Sequence, residues 1–318
     1  VKLLYVDHGN VVNEGHMYKY YGDLVRELAG LAEVFLYQGP PSTLESFLSD
    51  ARHEVDCLIF GLGYFAQGDP AAFDEIEGLS DIGVPVVCMI HKQQTLLEEK
   101  LNFCKINNVD LLVDSQSTYK EFGDVAGTRS IRLPFTASPE YFYPRETPKI
   151  YDIGFCGALH GNGKIAGPTS DLRSRALEEL QKKDFEVYWN ASNTLDYRIH
   201  SVEEYATKIS QSKVWLATTG PVLDVSPRYF EVMMSKTLLF CNKMDEQYGD
   251  FFIDGENCVM FENDLSNFNE KLDYYVKNGQ RRLDIVENAY NTAINNYTWR
   301  HMAVRLLNTI EEIRDEQV

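Results

Sequence analysis

LPFTASPEYFYPRETPK, residues 133–149, decides how this chain is divided. Four prolines in seventeen residues fix φ and remove backbone donors too often for a helix or a central strand to run through. The residues between them are aromatic rather than glycine- and serine-rich, which predicts a packed crossing between two domains instead of a slack linker. Upstream, VKLLYV (1–6), EVFLY (33–37), VDCLIF (55–60), VPVVCMI (84–90) and VDLLV (109–113) read as strands buried on both faces. Helix-like stretches at 16–29, 43–49, 70–79, 95–104 and 117–122 separate them. Downstream the alternation restarts with YDIGFCG (151–157), a helix over 171–183, FEVYW (185–189), a helix over 202–210 and VWLAT (214–218). A helix over 228–235, TLLFC (237–241) and NCVMF (257–261) follow, and from 264 the chain reads as helix nearly to its end. Strand, helix, strand at this spacing makes a parallel sheet with right-handed crossovers. The expected fold is therefore α/β: two Rossmann-like domains, 1–140 and 150–318, facing a cleft, with a C-terminal helical tail.

Composition narrows the function classes. With 318 residues, 44% hydrophobic and 25% charged, each half can bury its own core. A net charge of −18 argues against a nucleic-acid groove, which needs basic surface to displace counterions. It also makes any well-placed arginine or lysine informative, because an acidic protein that binds phosphate must concentrate cations locally. No apolar run reaches the roughly eighteen residues of a membrane span and no basic-then-apolar leader is visible, so a cytoplasmic place is expected. The six cysteines form no close Cys-x-x-Cys pair and sit mostly in apolar runs, which predicts buried, reduced thiols. There is no Gly-x-Ser-x-Gly elbow, no His-Glu-x-x-His and no Gly-x-Gly-x-x-Gly after the first strand.

The most specific stretch is SPRYFEVMMSKTLLFCNKMDEQYGDFFIDGENCVMFEND (226–264). Pro227 opens a helix whose first turns carry Arg228 and Glu231; a strand, a loop and Asp254-Gly255-Glu256-Asn257 follow. This segment resembles the C-terminal domain of group-one-like glycosyltransferases of the GT-B fold, in particular the spore-maturation-protein-like branch. There an Arg-x-Phe-Glu helix precedes an apolar strand and a Phe-x-Asp-Gly-Glu-Asn turn. The resemblance extends to YDIGFCGALH (151–160), similar to that family's first donor-domain strand and glycine turn at Gly157. It also takes in the helix bearing Arg173 and Arg175, and YTWRHMAVRLLNTI (297–310), similar to its closing helix. It spans roughly residues 130–312, and the N-terminal half matches in architecture only.

The resemblance implies transfer of a glycosyl unit from a nucleoside diphosphate sugar to a glycan, protein or small-molecule acceptor, with no cofactor beyond the donor. A leaving diphosphate needs its developing charge met by metal or by cationic side chains and a helix N-terminus. The sequence contains no Asp-x-Asp metal signature, so a metal-independent site is expected, with Arg228, Arg173, Arg175 and Lys164 as its cations. Glu231 corresponds to the second glutamate of the family's Glu, seven residues, Glu motif, which binds ribose hydroxyls. The first would fall at Leu223, with Asp224 beside it, so the motif is incomplete. Arg228 and Glu231 also suit a plain i,i+3 surface pair, and Arg173 and Arg175 a solvated helix face. For the base that takes the acceptor proton, DHGNVVNEGHMYKY (7–20), directly after the first strand, offers His16, His8, Asp7 and Glu14. His91, at the end of VPVVCMI, stands where retaining members of the broader fold carry a histidine near the donor sugar. Two other readings use the same residues: a nucleotide-sugar epimerase, and a non-catalytic module that binds a nucleotide or sugar.

Overall fold

The computed structural model describes residues 1–7, 19–51, 55–67, 70–79, 82–159, 167, 169–191, 199, 201–220 and 223–317. The chain separates into two compact units, Val1–Pro134 with Trp299–Val318, and Phe135–Thr298.

The first unit contains strands β1 (Lys2–Val6), β2 (Glu33–Tyr37), β3 (Cys57–Phe60), β4 (Val86–Ile90), β5 (Leu111–Asp114) and β6 (Arg129–Arg132). Helices α1 (Lys19–Ala29), α2 (Leu44–Ala51), α3 (Leu97–Ile106) and α4 (Tyr119–Ala126) connect them. All pairings are parallel, in the order β2-β1-β3-β4-β5-β6. β3 and β4 are Val, Leu, Ile, Met, Cys and Phe throughout and entirely buried, as central parallel strands covered on both faces must be. β2 departs from the expectation of two buried faces. It is an edge strand, and Phe35 and Leu36 are each 38% exposed. β6, RSIR, escaped the sequence reading because its polar, half-buried residues on the other edge lack an apolar run. The helix expected at 70–79 reduces to one 3-10 turn at Pro70–Phe73. There the Ile76 N–H turns to the Asn107 side chain (2.8 Å), and Gly78 takes a positive φ of 77°.

The second unit holds β7 (Tyr151–Gly157), β8 (Val187–Ala191), β9 (Ser212–Ala217), β10 (Leu238–Asn242) and β11 (Val259–Phe261), parallel, in the order β11-β10-β9-β7-β8. Helices α5 (Leu172–Leu180), α6 (Val202–Ser210), α7 (Arg228–Met234), α8 (Phe268–Lys277) and α9 (Gly279–Asn296) pack on it, and α10 (Trp299–Gln317) closes the chain. The expected range 150–318 places α10 with the second domain; its contacts place it with the first. Met302, Ala303, Leu306 and Ile310 are fully buried along it, and it packs on α1. Arg314 reaches Asp56 (2.9 Å), Arg129 reaches Glu312 (2.6 Å) and Arg300 reaches Glu27 (3.6 Å). These exposed ion pairs contribute little beside the apolar stripe.

The proline-rich crossing is packed, as its composition predicts: Phe135, Ala137 and Phe142 are buried in the second unit. Thr136 hydrogen-bonds to the Tyr297 carbonyl, and Ala137 bridges Thr298. The cysteines form no disulfides; five of them are buried and Cys156 is half-buried. No described helix is long and apolar enough to cross a membrane.

In both sheets the second strand lies outside the first and the chain then jumps to the other side. The order therefore reverses between β1 and β3, and again between β7 and β9. In doubly wound sheets ligands bind beyond the carboxyl ends of the strands at that reversal.

Candidate functional site

The reversal in the second unit is where the arginines gather. β7 ends at Gly157 and β9 at Ala217. Arg173, on the first turn of α5 and 6% exposed, spans the two loops that follow. Its Nε donates to Thr218 Oγ1 (2.7 Å) and its Nη1 to the Ala158 carbonyl (2.5 Å). Arg228, at the start of α7, lies beside Gly157; a Cβ there would stand 3.0 Å from Arg228 Nη2 and 3.3 Å from the Phe155 ring. Both guanidinium carbons sit near the Phe155 ring, at 5.8 Å for Arg173 and 5.9 Å for Arg228. Phe155 stacks in turn on Trp189 (4.3 Å). The ring quadrupole favours either cation, but not their mutual proximity. Burial and the Arg228 charge lower Arg173 to about 9, still protonated at neutral pH. Burial works against the Arg228 charge too, but Tyr205, Cys156 and Glu231 more than offset it and hold its pKa above the usual arginine value. Arg175, two residues further along α5, joins neither: it pairs with Asp171 (3.1 Å) and donates to the Asn263 carbonyl (3.0 Å).

Glu231 is turned inward, at 2% exposure. Its Oε2 accepts from the Tyr205 hydroxyl (2.9 Å), while Oε1 has no hydrogen-bond partner among the described residues. Burial pushes its carboxyl up to about 7, against the opposing pull of Arg228 and the Tyr205 hydrogen bond. The expectation of a plain surface i,i+3 pair is thereby replaced: Glu231 is interior and Arg228 half-buried. Glu231 Oε1 has company, since Ser226 Oγ, Arg228 Nε and the Tyr229 hydroxyl are likewise buried without partners. Native interiors leave few polar atoms in this state, and four within six residues is a concentration that a bound polar ligand would explain.

The loop from Thr218 to Asp224 is built around a close approach. Thr169 Oγ1 donates to the Gly220 carbonyl (2.7 Å), and Asn242 clamps Thr219 through its N–H (2.8 Å) and hydroxyl (3.1 Å). The Gly220 N–H returns to the Asp224 carbonyl (2.9 Å) and Leu223 adopts a φ of 63°. The Asp224 carboxylate then lies so near Gly220 that a Cβ there would come 1.9 Å from Oδ1. Burial raises the Asp224 carboxyl, with Arg173 pulling the other way. Residue 223 thus turns the chain, and its neighbour supplies the carboxylate. The Asp254–Asn257 turn serves the fold. Asn257 accepts from the Ile253 N–H (2.8 Å) and donates to the Phe251 carbonyl (3.0 Å), Asp254 Oδ1 accepts from the Met260 N–H (2.7 Å), and Gly255 takes φ 78°.

In the first unit, Asp7 follows β1 at the corresponding reversal, 1% exposed, and its Oδ2 accepts from the Gly63 N–H (3.1 Å). His91 follows β4; burial, Lys92 and Lys100 lower its pKa to about 3, so the ring is neutral at physiological pH. Lys100 Nζ donates to the carbonyls of His91 (2.8 Å) and Lys92 (3.0 Å). His8, Glu14, His16 and Lys164 lie outside the described residues. Among the described residues no three His, Cys, Asp or Glu side chains gather as a metal site. The sequence reading missed Tyr205, whose only signal is its place inside an ordinary amphipathic helix, and Phe155, which reads as one more strand residue.

Residues 159–308 match the model of a family described as Glycosyl transferase-like. No curated protein matches the chain. Among solved structures, HepE from Anabaena in complex with UDP superimposes with a TM-score of 0.64 at 12% identity, over 98% of this chain and 100% of that one. Sucrose-phosphate synthase from Thermosynechococcus elongatus gives 0.62 at 11% identity, over 98% of each chain. A glycosyltransferase from Rickettsia africae ESF-5 gives 0.62 at 10% identity, again over 98% of each. At these identities the likeness is one of fold, and it agrees with the two parallel-sheet domains and helical C-terminal end. The chain thus joins a glycosyl transferase-like segment, residues 159–308, to the two-domain α/β architecture of GT-B glycosyltransferase structures.

Proposed function

We propose that this chain is a metal-independent glycosyltransferase of the spore-maturation-protein-like branch, moving a sugar from a nucleoside diphosphate sugar to an acceptor hydroxyl. The observation that carries the proposal is the pair of like charges at the β7–β9 reversal, buried Arg173 and half-buried Arg228, beside four buried polar atoms without partners. An anion between the guanidiniums relieves their repulsion, and the charge that grows on a leaving diphosphate strengthens that contact in the transition state. Glu231 accepts the hydroxyls of the nucleoside pentose through Oε1. Asp224 takes a hydroxyl of the donor sugar, the missing side chain at Gly157 keeps the approach to Arg228 open, and Lys164 adds a further cation. The complexes of HepE with UDP and with UDP-glucose make uridine nucleotides the first donors to try.

At the first unit's strand ends we assign the acceptor side. His91, neutral and with a pKa near 3, is a poor proton acceptor and suits a neutral hydrogen-bond partner for a sugar. The general base is then His16 or Asp7. His16→Ala with normal turnover would move that role to Asp7.

The test is incubation with a panel of nucleotide sugars, with and without simple acceptors. Release of nucleoside diphosphate supports transfer. Interconversion of the sugars would mean an epimerase, and binding without turnover a non-catalytic module.

A further inference from the structure

Tyr205 belongs to no motif, yet its hydroxyl stands between the two side chains on which the nucleotide reading depends. It lies on α6, whose N-cap Ser201 accepts from the Glu204 N–H (3.3 Å). Its ring is 2% exposed and held edge-on by Phe142 and Trp215, each with its centroid 5.9 Å away. The hydroxyl donates its single proton to Glu231 Oε2 (2.9 Å) and also hydrogen-bonds to Arg228, whose guanidinium can only donate.

We propose that Tyr205 is the positioning residue that makes Glu231 a one-oxygen acceptor for ribose, and so makes the site select ribonucleotides over deoxyribonucleotides. One phenol engages Oε2, while Oε1, buried and wholly unpartnered, keeps both of its acceptor sites open for the ligand. A carboxylate oxygen has lone pairs for two donors, so Oε1 can take both vicinal hydroxyls of a ribose. A 2′-deoxy sugar fills only one of them and leaves the other buried without a partner. The same phenol ties Arg228 to Glu231, so the diphosphate and pentose contacts are set by one hydroxyl. This inference rests on the reading of Glu231 as a nucleoside contact.

The experiment is calorimetric titration of the wild type, Tyr205→Phe, Glu231→Gln and the double variant with uridine, guanosine and adenosine diphosphates and their 2′-deoxy counterparts. Wild type is expected to prefer a ribonucleotide by about tenfold or more, and Tyr205→Phe to reduce that ratio to about twofold while the diphosphate still binds. The double variant should lose no more selectivity than either single one, because the two residues act as a unit. A purely structural tyrosine would weaken both nucleotides alike, and a ratio unchanged in Tyr205→Phe overturns the proposal alone. Wild type that binds no nucleoside diphosphate overturns the nucleotide reading and this proposal with it. A second measurement needs no ligand. Loss of the phenol removes a hydrogen bond that favours the charged carboxylate, so the pH midpoint of the Glu231-dependent stability change must move upward in Tyr205→Phe. An unmoved midpoint shows that Tyr205 does not govern Glu231.

Discussion

Glu231→Gln is expected to flatten the pH dependence of the empty protein's stability while it weakens nucleotide binding. The Glu231 carboxyl is raised from 4.5 to about 7, first by burial, with Arg228 and Tyr205 pulling down. A folded pKa above the unfolded one means that the native state keeps a proton the unfolded chain has released. Stability therefore falls as pH rises from 4.5 towards 7 and stays low above. With those two values the loss between about pH 5 and about pH 8 is roughly 2–3 kcal/mol. Glutamine has the same shape and does not titrate. Its amide can leave one buried N–H unpaired at a cost of about 1–3 kcal/mol, but that cost is the same at both pH values and cancels in the comparison. The assay is urea unfolding of both proteins across this range, with nucleoside diphosphate titrations alongside. The variant's stability curve should be flatter by roughly 2–3 kcal/mol, and its affinity lower by about tenfold or more. Parallel stability curves would show that Glu231 is not a strained, inward carboxylate and would remove the physical basis for its role.

Arg228→Ala should lower turnover by about a hundredfold or more, because its charge acts on the leaving group, while stability changes by about 1 kcal/mol or less as Arg173 loses a repulsive neighbour. Calorimetry beside a turnover assay checks the split, and a collapsed melting temperature would contradict it. Gly220→Ala forces the Asp224 carboxylate away from its present place, 1.9 Å from the new Cβ; we expect a loss of about 1–3 kcal/mol and a raised KM for the donor sugar, read by melting and steady-state kinetics. Turnover should survive EDTA undiminished, and inactivation that added Mg2+ or Mn2+ reverses would require a metal in the leaving-group step.

Much of the fold was legible because central parallel strands must be apolar on both faces. β7, YDIGFCG, could be read from the sequence residue for residue, and the proline-rich segment 133–149 begins where the chain passes from the first compact unit to the second, at Pro134–Phe135. The edges were harder: β6 carries two arginines and a serine in four residues, and β2 looks central in sequence while standing at the rim. Pro70 promised a helix that Asn107, more than thirty residues away, diverts by taking the Ile76 N–H. Motif spacing brought out Arg228 and Glu231, yet spacing could not tell an exposed pair from one that turns Glu231 into the interior. Arg173 and Arg175 look alike on the helix pattern; only the reversal between β7 and β9 gives the first the two loops to bridge and leaves the second to Asp171. Tyr205 was illegible because its partner lies on another helix, 26 positions along the chain.

The last helix has a practical meaning for anyone who would cut or exchange these halves. A cut after Thr298 does not shorten the second half; it strips α1 of its neighbour and leaves the first half with an uncovered apolar face. A chimaera that swaps second halves should therefore carry residues 135–298 alone and leave Trp299–Val318 with the recipient's own N-terminal portion.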